Sequence, residues 1–151
     1  MPKAELVAKY LVSKSTPNTT RAITPLKLQK LLYYCQGWHM AFNQGKPLFE
    51  EDLFAWKHGP VVPEIYYSYK KYGYLTIPAE SFENKDEKGK RIFSDRQLEV
   101  LNAVWEAYGK YDGKYLEELT HQEEPWSITK QSVEIQKTNV FKYFSKLLSK
   151  K

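Results

Sequence analysis

The chain has 151 residues, enough for one domain with a real core, and its 42% hydrophobic and 27% charged residues match a globular composition. A single cysteine, Cys35, excludes an internal disulfide framework and a cysteine-rich zinc site, and suits a reducing compartment. The net charge of +5 is carried entirely by residues 1–75, with 10 basic and 5 acidic residues, whereas residues 76–151 hold 13 of each.

Of the 23 basic residues only Arg21, Arg91 and Arg96 are arginine, and the lysines are spaced out rather than bunched. Bidentate readers of bases and phosphates are usually arginine, so the excess reads as solvated surface or as a match for an acidic protein, ahead of nucleic acid. The start, Met1-Pro2-Lys3-Ala4-Glu5, carries an acid early and lacks an apolar block behind it. No apolar run approaches the roughly 18–20 residues that span a bilayer, so no membrane partner is expected and the location expected is cytoplasmic.

In chain order, Leu6, Val7, Tyr10 and Leu11 recur at helical spacing and predict a helix over 3–14, followed by a loop over 15–21. Thr24 and Pro25 form a start signal, N-cap then proline at the first helical position. Leu28, Leu31, Leu32, Cys35, His39 and Phe42 line one face behind them, and Leu26, Tyr33, Tyr34 and Trp38 cover much of the rest. The main polar stripe is Gln29, Gln36 and Asn43. A helix this apolar is central and largely buried; it covers about residues 25–44 and stops at Gly45 and Pro47.

Leu53–Lys57 reads as a short strand that Gly59-Pro60 terminates. Pro63 opens a helix to about Tyr72, closed by Gly73. A short strand is expected at 75–78, and Arg91-Ile92-Phe93 is expected to return across the charged turn at 83–91. Ser94 and Gln97 form a capping box ahead of Leu98, Leu101, Val104, Trp105 and Tyr108. A short helix over 114–121 and a turn at Pro125-Trp126 follow. Thr138 or Asn139 is expected to cap a last helix bearing Phe141, Phe144, Leu147 and Leu148, with Lys150 and Lys151 matching its dipole. The fold class is therefore mainly α (α+β): a single helical domain, residues 1–151, around the central helix, with a small two- or three-stranded antiparallel sheet.

No phosphate loop, HExxH or Gly-x-Ser-x-Gly signature is present. His39, His58 and His121 have no metal-ligand spacing, and Cys35 with His39 reads as packing on an apolar face ahead of a thiolate–imidazole pair. The stretch Trp56–Pro63 fixes a rigid corner between strand and helix. There His58 either satisfies backbone groups, sits on a recognition surface with Trp56, or acts as a general base. Five tyrosines lie within residues 66–74; Ile65, Tyr69 and Tyr72 share a core face, and Tyr66 and Tyr67 cannot both join them. Surface tyrosine suits protein interfaces. Thr120–Trp126 forms a second corner of the same mixed character. The residues alone favour a binding module over an enzyme.

Thr24–Tyr34, Pro47-Leu48-Phe49, Ala55–Pro63 with Tyr66, Tyr108-Gly109, Leu119-Thr120-His121 and Pro125-Trp126 occur in an order that resembles the Panacea (SocA-like) family, over about residues 5–148. The resemblance implies an antitoxin without a catalytic set and without a cofactor or metal, from bacteria, prophages and mobile elements. Its partner would be a cognate toxin, encoded nearby and neutralised by direct binding or by delivery to a ClpXP-type protease, as the family's eponymous member does. Some relatives carry an added DNA-binding segment, which is not expected outside 5–148. Within the motifs, Trp56, Gly59, Pro60 and Trp126 read as fold-holding residues, and Lys27, His58, Tyr66 and His121 as partner contacts. The competing readings are a nucleic-acid-binding regulator and a hydrolase using His58 or His121.

Overall fold

The computed structural model describes residues 1–150. Lys151, expected to complement the last helix dipole, lies outside the described residues. Among these, seven helices are present: α1 (Ala4–Ser13), α2 (Pro25–Phe42), α3 (Pro63–Tyr69), α4 (Asp95–Tyr108), α5 (Gly113–His121), α6 (Glu124–Ser127) and α7 (Lys137–Ser149). A hairpin, β1 (Phe54–Trp56) and β2 (Gly59–Val61), lies between α2 and α3, and one 3-10 turn, Lys70–Tyr72, extends α3. None of the helices is long and apolar enough to cross a membrane.

The central helix starts as its sequence dictates: Thr24 caps it by accepting the Lys27 amide, with Pro25 at the first position. The helices α1, α4, α5 and α7 and strand β2 all pack on it. Their burial is so complete that the Gln29, Gln36 and Asn43 stripe is itself inside. A buried amide needs partners, and the glutamines find them in loop backbone. Gln36 accepts from the amides of Leu48 (2.7 Å) and Phe49 (3.3 Å) and donates to the Phe49 carbonyl (2.9 Å). Gln29 accepts from the Val62 amide at 2.8 Å and donates to its carbonyl at 3.3 Å.

The sheet differs from expectation. Gly59-Pro60 does not end a lone strand; it belongs to the return strand, in antiparallel register Phe54↔Val61, Ala55↔Pro60 and Trp56↔Gly59. Proline is tolerated there because β2 is an edge. On the other side of β1, the 132–135 segment adds a ladder without a full strand: Ser132 donates to Ala55, Ala55 to Val133 and Ile135 to Leu53. The strands expected at 75–78 and 91–93 are absent; the charged turn keeps one bridge, Lys85↔Arg91. Helix α7 begins earlier than Thr138, after Gln136, with no side-chain cap. The capping box of Ser94 and Gln97 forms in both directions.

Candidate protein-binding face

The corner read from Trp56–Pro63 is a hairpin whose two-residue turn is Lys57-His58. Three anchors hold it. From below, the wholly buried Lys30 ammonium of α2 donates to the Pro60 carbonyl at 2.6 Å. From α6, the Trp126 indole donates to the Trp56 carbonyl at 2.8 Å. At the tip, His58 Nδ1 lies 3.0 Å from Glu117 Oε2 of α5.

Gly59 is required by two facts. Its φ of +106° disfavours a side chain, and an added Cβ would lie 2.8 Å from Thr120 Oγ1 and 3.0 Å from Lys30 Cε. The hairpin thus lies close on α2 and α5.

Burial lowers Lys30 to about 7, against the opposing charge of Glu117. Burial pushes the Glu117 carboxyl up, but the hydrogen bond and charge of His58, with Lys114 and His121, outweigh it and leave it below the usual value. His58 is 63% exposed at its side chain while Glu117 is 9% exposed, so the pair joins surface to interior.

The structure thus gathers Trp56, His58, Gly59, Pro60, His121 and Trp126 at one place. His121 stacks on Trp126, centroids 4.0 Å apart and planes within 19°, with its Nε2 buried and without a hydrogen-bond partner. The residue as a whole is half-buried. Tyr66 of α3 joins from the other side, edge-on to Trp56 at 5.2 Å, and is 40% exposed.

Lys27 does not join them. It is 1% exposed, and its ammonium donates to the carbonyls of Gly109 (2.5 Å) and Thr20 (3.0 Å). It therefore closes the C-terminal end of α4, where orphan carbonyls need donors, and has no surface to offer a partner. Burial and the Arg21 charge lower it to about 8, against Asp112.

Lys30 and Glu117, which no chemical motif marks, fix the hairpin together with Gln29 of the polar stripe. The available signal was polar residues inside an otherwise apolar helix, and Glu117 four residues before His121. Equally inconspicuous in the sequence is Glu123, a buried carboxylate among Tyr33, Tyr34 and Tyr143.

Comparison with known proteins follows the same region. The family model described as antitoxin SocA-like, Panacea domain, matches residues 28–127, which run from the first turn of α2 to the end of α6. That range is narrower than the 5–148 over which the motifs were read. Antitoxin SocA of Caulobacter vibrioides (strain NA1000 / CB15N) is 40% identical over 63 residues, 42% of this chain and 32% of that protein. The aligned part thus spans about a third of that relative's length. No solved structure gives a significant match. With two thirds of its length matched, the hairpin and its anchoring helices included, the chain belongs to the SocA-like antitoxin family with its Panacea domain.

Proposed function

We propose that this chain is an antitoxin-type protein-binding module of the bacterial cytoplasm. It neutralises a cognate toxin encoded nearby, by direct binding or by delivering it to a ClpXP-type protease. The observation that carries the reading is the family match over residues 28–127. Support comes from the anchored hairpin, which presents His58 to solvent beside the exposed Tyr66 of α3.

The test is co-expression rescue. Each small neighbouring gene is expressed alone and with this chain, scoring growth and recovering the complex. Growth arrest relieved together with a stable complex supports the reading; no toxic neighbour and no complex overturns it. Repeating the rescue in a host lacking ClpX separates the two modes, because delivery needs the protease and direct inhibition does not.

A second reading, hydrolysis with His58 as general base, draws on the 3.0 Å His58–Glu117 pair. His58→Ala distinguishes the two. If the pair only fastens the hairpin, the variant binds toxin more weakly and melts lower, with no change in turnover of ester or peptide substrates.

A further inference from the structure

Of the nine large apolar side chains exposed among the described residues, four lie between residues 66 and 75, and the other five, Met1, Phe42, Tyr115, Ile128 and Val133, are spread along the chain. Tyr66 (40%), Tyr67 (63%), Tyr74 (99%) and Leu75 (73%) are all exposed, and all follow from α3 and its 3-10 extension. Large apolar groups left contiguous in water mark interaction sites. Here they are also ordered. The Trp56, Tyr66 and Tyr67 rings stand edge to face in a row, 5.2 Å and 5.4 Å between centroids with planes at 73° and 82°. The Lys70 ammonium sits 5.4 Å from the Tyr67 ring centre. Rings already fixed lose little freedom on binding.

The segment that carries the row has one dominant sign of charge. Residues 56–75 hold three lysines, Lys57, Lys70 and Lys71, and a single acid, Glu64. All three lysines are exposed, and none is ion-paired among the described residues.

Resting on the antitoxin reading, we infer that the Trp56–Tyr66–Tyr67 row, rimmed by Lys57, Lys70 and Lys71, is the toxin-docking surface. The matching patch on the toxin is an apolar centre ringed by carboxylates. The row supplies area, and the lysines supply charge complementarity, which governs encounter and register. A nucleic acid is the weaker fit. Base stacking needs open ring faces, whereas Lys70 occupies one face of Tyr67, and the rim holds no arginine.

The experiment uses the toxin recovered by co-expression as the probe. Its Kd for the full chain is measured by calorimetry at low and high salt, for wild type, Tyr67→Ala and the Lys70→Glu/Lys71→Glu pair. Lys85→Glu/Lys88→Glu makes the same charge change on the 83–91 turn, outside the row and its rim, as a control, and melting curves confirm folding. Tyr67→Ala and the Lys70/Lys71 pair should each weaken binding about tenfold or more, and the pair should flatten the salt dependence, while the control changes neither. Binding within about twofold of wild type for both, or equal weakening by the control, overturns the inference and leaves the antitoxin reading standing. A labelled single-stranded oligonucleotide whose binding alone depends on these residues also overturns it. If wild type neutralises no neighbouring toxin, the antitoxin reading itself fails and the inference falls with it.

Discussion

The Tyr34 hydroxyl lies 3.1 Å from both carboxylate oxygens of Glu123, and Tyr33 donates to one of them at 3.0 Å. These bonds tie the α5–α6 junction to the middle of α2. Burial pushes Glu123 up to about 7, although the hydroxyls of Tyr33, Tyr34 and Tyr143 pull it down. In the unfolded chain the same group titrates near the ordinary value of 4.5. Its folded pKa is raised, so its stabilisation is full below about 4.5 and is lost as pH rises toward 7. The loss is roughly 3 kcal/mol at about 1.4 kcal/mol per pKa unit. Urea unfolding from pH 4.5 to 7 should show this decline in wild type, relative to a flatter profile for Glu123→Gln. Comparing the two isolates Glu123 from His39, whose burial-lowered pKa acts in the opposite direction.

Lys30 and Lys27 work in the alkaline range. Both are depressed from 10.5, to about 7 and about 8, chiefly by burial. Each native lysine releases its proton before its unfolded counterpart does, so stability rises as pH climbs from about 7 toward 10.5. Glu123 thus lowers stability as pH rises toward about 7, and Lys30 and Lys27 raise it on the alkaline side. Lys30→Met keeps the length of the side chain and removes the charge. The unfolding midpoint of the variant should rise less between pH 7.5 and 9.5 than that of wild type.

Gln36 stands in for a strand edge toward Leu48 and Phe49. Gln36→Leu fills the same space and leaves two amides and a carbonyl without that partner. A buried unpaired group costs about 1–3 kcal/mol, so a total of roughly 3 kcal/mol is expected. For a chain of this size that lowers Tm by about 6–12 °C in calorimetry. An unchanged Tm would mean that the loop backbone finds other donors.

Gly37 of α2 lies directly against the Phe144 ring of α7. A Cβ added there would overlap the Phe144 ring, which is fully buried and held by Tyr33, Tyr34, Trp38 and Tyr143. Alanine improves helix propensity by about 0.5–1 kcal/mol, but overpacking costs about 1–3 kcal/mol, so Gly37→Ala should destabilise. Adding Phe144→Leu should cost less in this background than in wild type, a coupling that a double-mutant cycle by chemical denaturation reads directly.

Much of the fold follows from local rules. Thr24-Pro25 starts α2, and the Ser94–Gln97 box starts α4, because each satisfies orphan amides within four residues of chain. The apolar wrap of residues 25–44 told of a central helix for the same reason: no other placement hides so many faces. The family was legible too, because its motifs lie along the chain in order.

What the sequence determined by itself was therefore the helices with their own caps, the central position of α2 and the antitoxin family. The tertiary structure decided which polar residues face inward and which aromatics stay outside. Gln29, Gln36, Lys27 and Lys30 look like surface residues by type, and only distant carbonyls and amides, those of Val62, Phe49, Gly109 and Pro60, make their burial tolerable. The hairpin return strand escaped the sequence because Gly59-Pro60 breaks strands locally, while Lys30 and Gln29 support this one from another element. The anchor at His58 exists only because Glu117, 59 residues away in sequence, comes within 3.0 Å. Such pairings are set by packing between elements, and no local periodicity encodes them.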